Sequence, residues 1–279
     1  MRPLFFATLL LLALLSPVSA DFSFMPLSSS AWQEMTADSD VLHIRPLKLP
    51  AGFSQRILSD ETHLDIYRGN DWTDMQVLNE GGTDTGRYLY RTHETRQHND
   101  RHRDGREGGT VSVVDLSTGS TTIFAMREDW EAIDGILWTP WNSLLVTEEQ
   151  KRDSSPDPQY PDAARGLVYE LFPKADDPDQ LARIRARPLL GSLTHEGIET
   201  DREGNIYVID EHRPGAIYRF VPYHFGDLES GRLFVLGVSD GAQTGPAEWI
   251  PLQLDRKTFD ARGAARKAGA TGFCRPEDL

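Results

Sequence analysis

The chain contains one cysteine, Cys274, among 279 residues. It therefore has no internal disulfide framework, and its stability has to come from an apolar core, from bound metal, or from both. Positive charge is also scarce. Lys and Arg number 29 against 43 Asp and Glu, for a formal net charge of −14. Such a chain has no electrostatic footing on DNA or RNA. It does carry many oxygen donors. Helical periodicity is thin: the best short stretch is Pro178 to Arg187, where Asp177 suits a cap, Pro178 a first helical position and Pro188 a stop. Long apolar runs are absent after the first segment, so no later stretch predicts a membrane span.

That first segment is a leader. Arg2 is followed by the apolar run Leu4 to Leu15, and then by Pro17-Val18-Ser19-Ala20, with small residues before Asp21. This is the layout of a secretory signal peptide, and the run is short for a span. Residues 1–20 are expected to be cleaved. Asp21 to Leu279 is expected to form one β domain, periplasmic or secreted, with no membrane attachment after cleavage.

What the rest of the chain does have is strand signal. Ile206-Tyr207-Val208-Ile209 is β-prone, is preceded by the turn Asp201-Arg202-Glu203-Gly204-Asn205, and runs straight into Asp210-Glu211. After the turn Arg213-Pro214-Gly215, the segment Ala216 to Val221 alternates, and Pro222 stops it. The two segments predict an antiparallel pair. Arg87 to Arg91, Thr110 to Asp115, Thr121 to Ala125, two runs within Ile136 to Thr147, Gly166 to Phe172 and Leu233 to Val238 read as further strands. Short strands with turns about every ten residues indicate an all-β sandwich or propeller, and the turn–strand–turn–strand module at 201–221 favours a propeller.

Acids cluster where these strands end. Glu94, Glu148-Glu149 and Asp210-Glu211 each close a β run; Glu196 follows His195, and Glu277-Asp278 lies near the C-terminus. One acid at a strand end is ordinarily a solvated turn residue. Five such clusters point further, because propeller strands converge on a central channel where distant acids can share a hard cation.

The same residues carry a family resemblance. Arg87-Tyr-Leu-Tyr-Arg-Thr-His-Glu94 resembles the "NHE" strand of PhoX-type alkaline phosphatases. Thr139-Pro-Trp-Asn-Ser-Leu-Leu-Val-Thr-Glu-Glu149 is similar to their "TPWGTWLTCEE", His195-Glu196-Gly197 to their "HEG", and Arg275-Pro276-Glu277 to their "RPE". The motifs stand in the family's order. The resemblance implies a six-bladed β-propeller, incomplete here at its C-terminal blades, that hydrolyses small phosphate esters with calcium and, in characterised members, iron. It makes Glu94, Glu148, Glu149, Glu196, Asp210, Glu211 and Glu277 candidate metal ligands. It makes Arg275 and Glu277 candidate catalytic residues, with Arg275 binding phosphate through its planar fork. Thr147 stands where the family has an iron-liganding cysteine, and a hydroxyl is a poor substitute for a thiolate. Two other classes compete: a calcium-stabilised propeller lactonase or esterase, and a non-catalytic exported propeller.

Three further patterns are weaker. Gly237-Val-Ser-Asp-Gly241 matches a nucleophile elbow, but Gln243-Thr-Gly-Pro246 follows it where a helix is needed. His98 and His102 have zinc-like spacing in a run with no helical apolar face. Glu199, Asp201 and Glu203 echo a calcium loop, but between strands rather than helices.

Overall fold

The computed structural model describes residues 73–95, 108–149, 157–163, 166–239 and 244–279, with isolated positions between 49 and 64. Residues 1–20, where a leader is expected, His98 and His102, and the second half of the nucleophile-elbow pattern lie outside the described residues.

The described chain is nearly all β. Its thirteen strands fall into three antiparallel sheets, each a simple meander. The first holds β1 (Thr73–Leu78), β2 (Tyr88–His93), β3 (Gly109–Asp115) and β4 (Ser120–Arg127). The second holds β5 (Ile133–Trp138), β6 (Leu144–Glu148), β7 (Val168–Lys174) and β8 (Asp177–Ala186). The third holds β9 (His195–Thr200), β10 (Ile206–Asp210), β11 (Ile217–Pro222), β12 (Gly231–Val238) and β13 (Ala247–Pro251). One helix, α1 (Ala261–Ala268), follows them. The first strands of the sheets, β1, β5 and β9, lie beside one another in that order. Meander sheets joined through their first strands are blades, and the architecture is propeller-like.

The middle blade explains why the sequence shows so many apolar runs. On β6, Leu144 and Val146 face a core shared with the first blade, while Leu145 faces a core shared with the third. On β7, Tyr169 and Leu171 face the first blade and Val168 the third. Strand side chains alternate, so a strand buried on both faces must be apolar at every position. Tyr90, Trp138, Trp130 and Tyr169 fill the first interface, with Tyr90 stacked on Trp138 at 5.7 Å. Ile206, Val208, Tyr218 and Phe220 fill the second. The expected pair β10–β11 forms, with Ile206 opposite Phe220 and Val208 opposite Tyr218.

The expected helix at Pro178 to Arg187 is a strand instead. β8 pairs antiparallel with β7, and Leu181, Ile184 and Ala186 turn toward the first interface. Pro178 is tolerated because β8 is the outer strand, where a missing N–H breaks no ladder. Its carbonyl accepts a hydrogen bond from the Tyr90 hydroxyl at 2.6 Å. The helix α1 was not expected. Asp260 caps it by accepting from the Gly263 N–H, and Gly269 ends it in the left-handed conformation.

Candidate metal centre

Each blade brings two acids to one place, by the same device. The first acid is the second residue of the blade's first strand: Asp74 on β1, Asp134 on β5, Glu196 on β9. The second directly follows the blade's second strand: Glu94 after β2, Glu149 after β6, Glu211 after β10. Their oxygens interlock in three groups, with ligand atoms within 4.8 Å of one another in each. These are Asp74–Asp134–Glu196, Glu94–Asp134–Glu149 and Glu149–Glu196–Glu211. Asp134, Glu149 and Glu196 are shared, so the six carboxylates form one connected cluster.

Local backbone irregularity aims the first acid of each pair. The pairing slips between Thr73 and Gln76 in β1, between Ile133 and Ile136 in β5, and opposite Glu196 where β9 meets β10. Each slip contains the acid. Bulges of this kind redirect one side chain out of the regular alternation. In the second blade the bulge needs glycine. A Cβ on Gly135 would press into the Glu196 carbonyl oxygen and stand 2.8 Å from Thr147 Oγ1. The Thr147 hydroxyl itself donates to that carbonyl at 3.1 Å. Gly135→Ala is therefore expected to push β5 from β9, costing roughly 1–3 kcal/mol and weakening cation binding. Urea denaturation with and without calcium measures both effects. An alanine variant matching the parent in both would show that this close approach is dispensable.

The electrostatics are those of acids held close together, with a guanidinium, Arg275, only at Glu211 on the rim. Asp134 is almost fully buried, and its Oδ1 has no hydrogen-bond partner. Burial, then the charges of Glu196 and Asp74, hold its carboxyl well above the usual range. Burial, then the charges of Glu149, Asp74 and Glu277, raise Glu196 to about 7. An orphaned buried carboxylate oxygen at the junction of six carboxylates fits a hard cation, and a donor set made only of oxygen fits calcium chemistry.

Of the residues singled out by sequence, Glu94, Glu149, Glu196 and Glu211 lie in this cluster. Arg275 and Glu277 lie at its rim. Arg275 Nη2 pairs with Glu211 Oε1 and lies 3.2 Å from Glu277 Oε1. Glu148 and Asp210 are outside the three groups. Each directly precedes a cluster acid, and neighbouring strand residues point to opposite faces. Glu148 Oε1 accepts from the Glu131 N–H at 3.0 Å and Oε2 from the Leu167 N–H at 3.3 Å. Burial pushes its pKa up to about 8 against those two bonds. Asp210, fully buried, is bound by Arg262. Asp201 of the calcium-like turn accepts from the N–H groups of Glu203 and Asn205, the Asn205 amide and the Tyr207 hydroxyl, so it organises its own turn.

Sequence reasoning passed over Asp74 and Asp134. A signal for Asp134 is present. Ile133-Asp134-Gly135-Ile136 parallels His195-Glu196-Gly197-Ile198, and in both blades the second acid follows the first by fifteen residues.

The family model for alkaline phosphatase PhoX matches residues 134–279, more than half of the chain. The chain belongs to the PhoX family. The match begins at the first acid of the second blade and covers Glu149, Glu196, Glu211, Arg275 and Glu277. Among solved structures, the chain is similar to PhoX of Pseudomonas fluorescens in complex with vanadate, a transition state analogue. Identity is 18%, the TM-score is 0.47, and the alignment covers 75% of this chain. The chain spans 56% of that PhoX's length. No curated protein matches the chain.

Proposed function

We propose that this PhoX-family chain is an exported, calcium-dependent phosphomonoesterase. The observation that carries the reading is the cluster of six carboxylates from three blades, with a guanidinium at its rim. Asp74, Glu94, Asp134, Glu149, Glu196 and Glu211 would hold the cations. Bound there, calcium would stabilise negative charge on the attacking and leaving oxygens of a phosphoryl group. Arg275 presents a planar donor fork beside the cluster. It would trade its pair with Glu211 for a substrate phosphate and orient the ester. Arg275 supports phosphate over a lactone or carboxylic ester, neither of which needs a cationic clamp. Thr147, with its hydroxyl given to the Glu196 carbonyl, supports a site with calcium and without thiolate-bound iron. The composition of residues 1–20 supports export to the periplasm or beyond.

The test is hydrolysis of p-nitrophenyl phosphate by the chelated protein, followed by return of calcium alone. Activity should vanish with chelation, return with calcium and be lost in Arg275→Ala. Calcium-restored hydrolysis of p-nitrophenyl acetate or a lactone, without the phosphate ester, would establish the esterase class instead. Calcium-dependent stability with no hydrolysis of any of the three would leave the cations a purely structural role.

A further inference from the structure

A cavity of about 350 Å³ opens where the outer edge of the middle blade meets the third. That volume is at the small end of the range for ligand pockets. Its floor is apolar. Leu189 and Leu228 are almost fully buried there, and Phe259 meets Tyr160 edge-on with ring centroids 5.6 Å apart.

Its rim is cationic, in a chain whose overall charge is strongly negative. Three arginines, Arg185, Arg187 and Arg256, line it together with a single acid, Glu229. Arg187 is the built element. It is 7% exposed, and Glu170 fixes its position by accepting from Nε at 2.7 Å. Its remaining edge faces Glu229, whose Oε1 lies 3.0 Å from Nη1. Glu229 is 71% exposed at its side chain, so this pair is solvent-washed and weak. The Glu229 carboxylate shows where an anionic oxygen sits against Arg187. Arg185 and Arg256 are exposed and form no ion pair among the described residues.

We propose that this cavity is a binding site for a small organic oxyanion with a flat apolar ring, a class that includes aryl carboxylates and aryl phosphates. The ring lies on Leu189, Leu228 and Phe259. The oxyanion displaces Glu229 from Arg187, and Arg185 and Arg256 close over it. Guanidinium forks match planar carboxylate and phosphate oxygens bidentately. The site is independent of the carboxylate cluster and of any phosphatase activity.

Calorimetric titration of the full chain, held in chelator, tests the proposal with benzoate, phenyl phosphate, inorganic phosphate and benzyl alcohol as probes. At least one aryl anion should bind, and the two arms show whether carboxylate or phosphate is preferred. Affinity should fall at least tenfold in the double variant Arg185→Glu/Arg256→Glu and rise in Glu229→Gln, which removes the competing carboxylate. All three positions have exposed side chains, so folding is not at stake. The proposal is overturned if no aryl anion binds, or if benzyl alcohol binds as well as benzoate. It is equally overturned if inorganic phosphate binds as well as phenyl phosphate, or if the arginine variants leave affinity unchanged.

Discussion

Arg262→Met is expected to destabilise the protein by about 3–5 kcal/mol, the cost of leaving one member of a buried ion pair alone. Asp210 is fully buried and Arg262 is 6% exposed. The guanidinium holds both carboxylate oxygens, with Nε at 2.6 Å from Oδ2 and Nη2 on Oδ1. Nη2 also donates to Thr194 Oγ1 at 2.9 Å. Asp210 is the last residue of β10, and Glu211 of the carboxylate cluster is the next. Arg262 lies on α1, which is docked into the second interface by Ala261 and Ala265. The pair therefore ties α1 to the strand end that delivers a cluster acid. In Arg262→Met the aspartate keeps the Thr194 N–H, at 3.3 Å, but loses the guanidinium that balances its buried charge. A domain of this size loses about 2–4 °C of melting temperature per kcal/mol, so a fall of roughly 10 °C should accompany the substitution. The double variant Arg262→Met/Asp210→Asn should recover part of the loss, since the stranded charge is the main cost. Chemical denaturation of the three proteins checks this. A single variant within about 1 kcal/mol of the parent would show that water or another cation reaches Asp210.

Neither member of that pair was legible as a pair. Asp210 drew attention as an acid at a strand end, which it is, but its direction depends on strand parity. A sequence shows that Asp210 and Glu211 are adjacent; only the pleat decides which of them faces the carboxylate cluster. The same parity separates Glu148 from Glu149. Arg262 was invisible for a different reason. The apolar face of α1 is made of alanines, which contribute little to any periodicity, and its punctuation by Asp260 and Gly269 was the only strong local mark.

Strands were the readable part. Wherever β-branched and aromatic residues sit between turn residues, as at 206–210 and 217–222, local preference and tertiary pairing agree. They disagree at β8. Asp177, Pro178 and Pro188 imitate the start and stop of a helix, and the arginines between them are good helix formers. Pairing with β7 and burial of Leu181, Ile184 and Ala186 outweigh that preference. The carboxylate cluster was legible in four of its six members. Motifs led to Glu94, Glu149, Glu196 and Glu211. Asp134 is marked only by a short internal repeat, and Asp74 lacks both the glycine and the fifteen-residue spacing, because a longer connection joins β1 to β2.

The cluster itself makes the most testable statement about conditions. Without a cation, the protein is expected to lose stability as pH rises from 6 to 9. Asp134 and Glu196 both have folded-state pKa values above those of an unfolded chain, Glu196 at about 7 and Asp134 higher. Keeping them neutral favours the fold fully below the unfolded value, near pH 4, and that contribution disappears as pH rises through the folded values. Buried Glu148, at about 8, acts in the same direction. In chelator the melting temperature should therefore fall by on the order of 10 °C across that interval. Calcium should reverse the trend for the cluster, because ionised carboxylates are its ligands and binding favours the state that has lost its protons. The gap between calcium-loaded and chelated melting curves should widen steadily with pH. Glu148 lies outside the three carboxylate groups, so its contribution should persist with calcium present and separate the two effects. Glu196→Gln should flatten the chelated curve near pH 7, since it removes the group that titrates there. A chelated protein whose melting temperature is level or rises between pH 6 and 9, with a calcium effect independent of pH, would mean that these six carboxylates do not converge in solution.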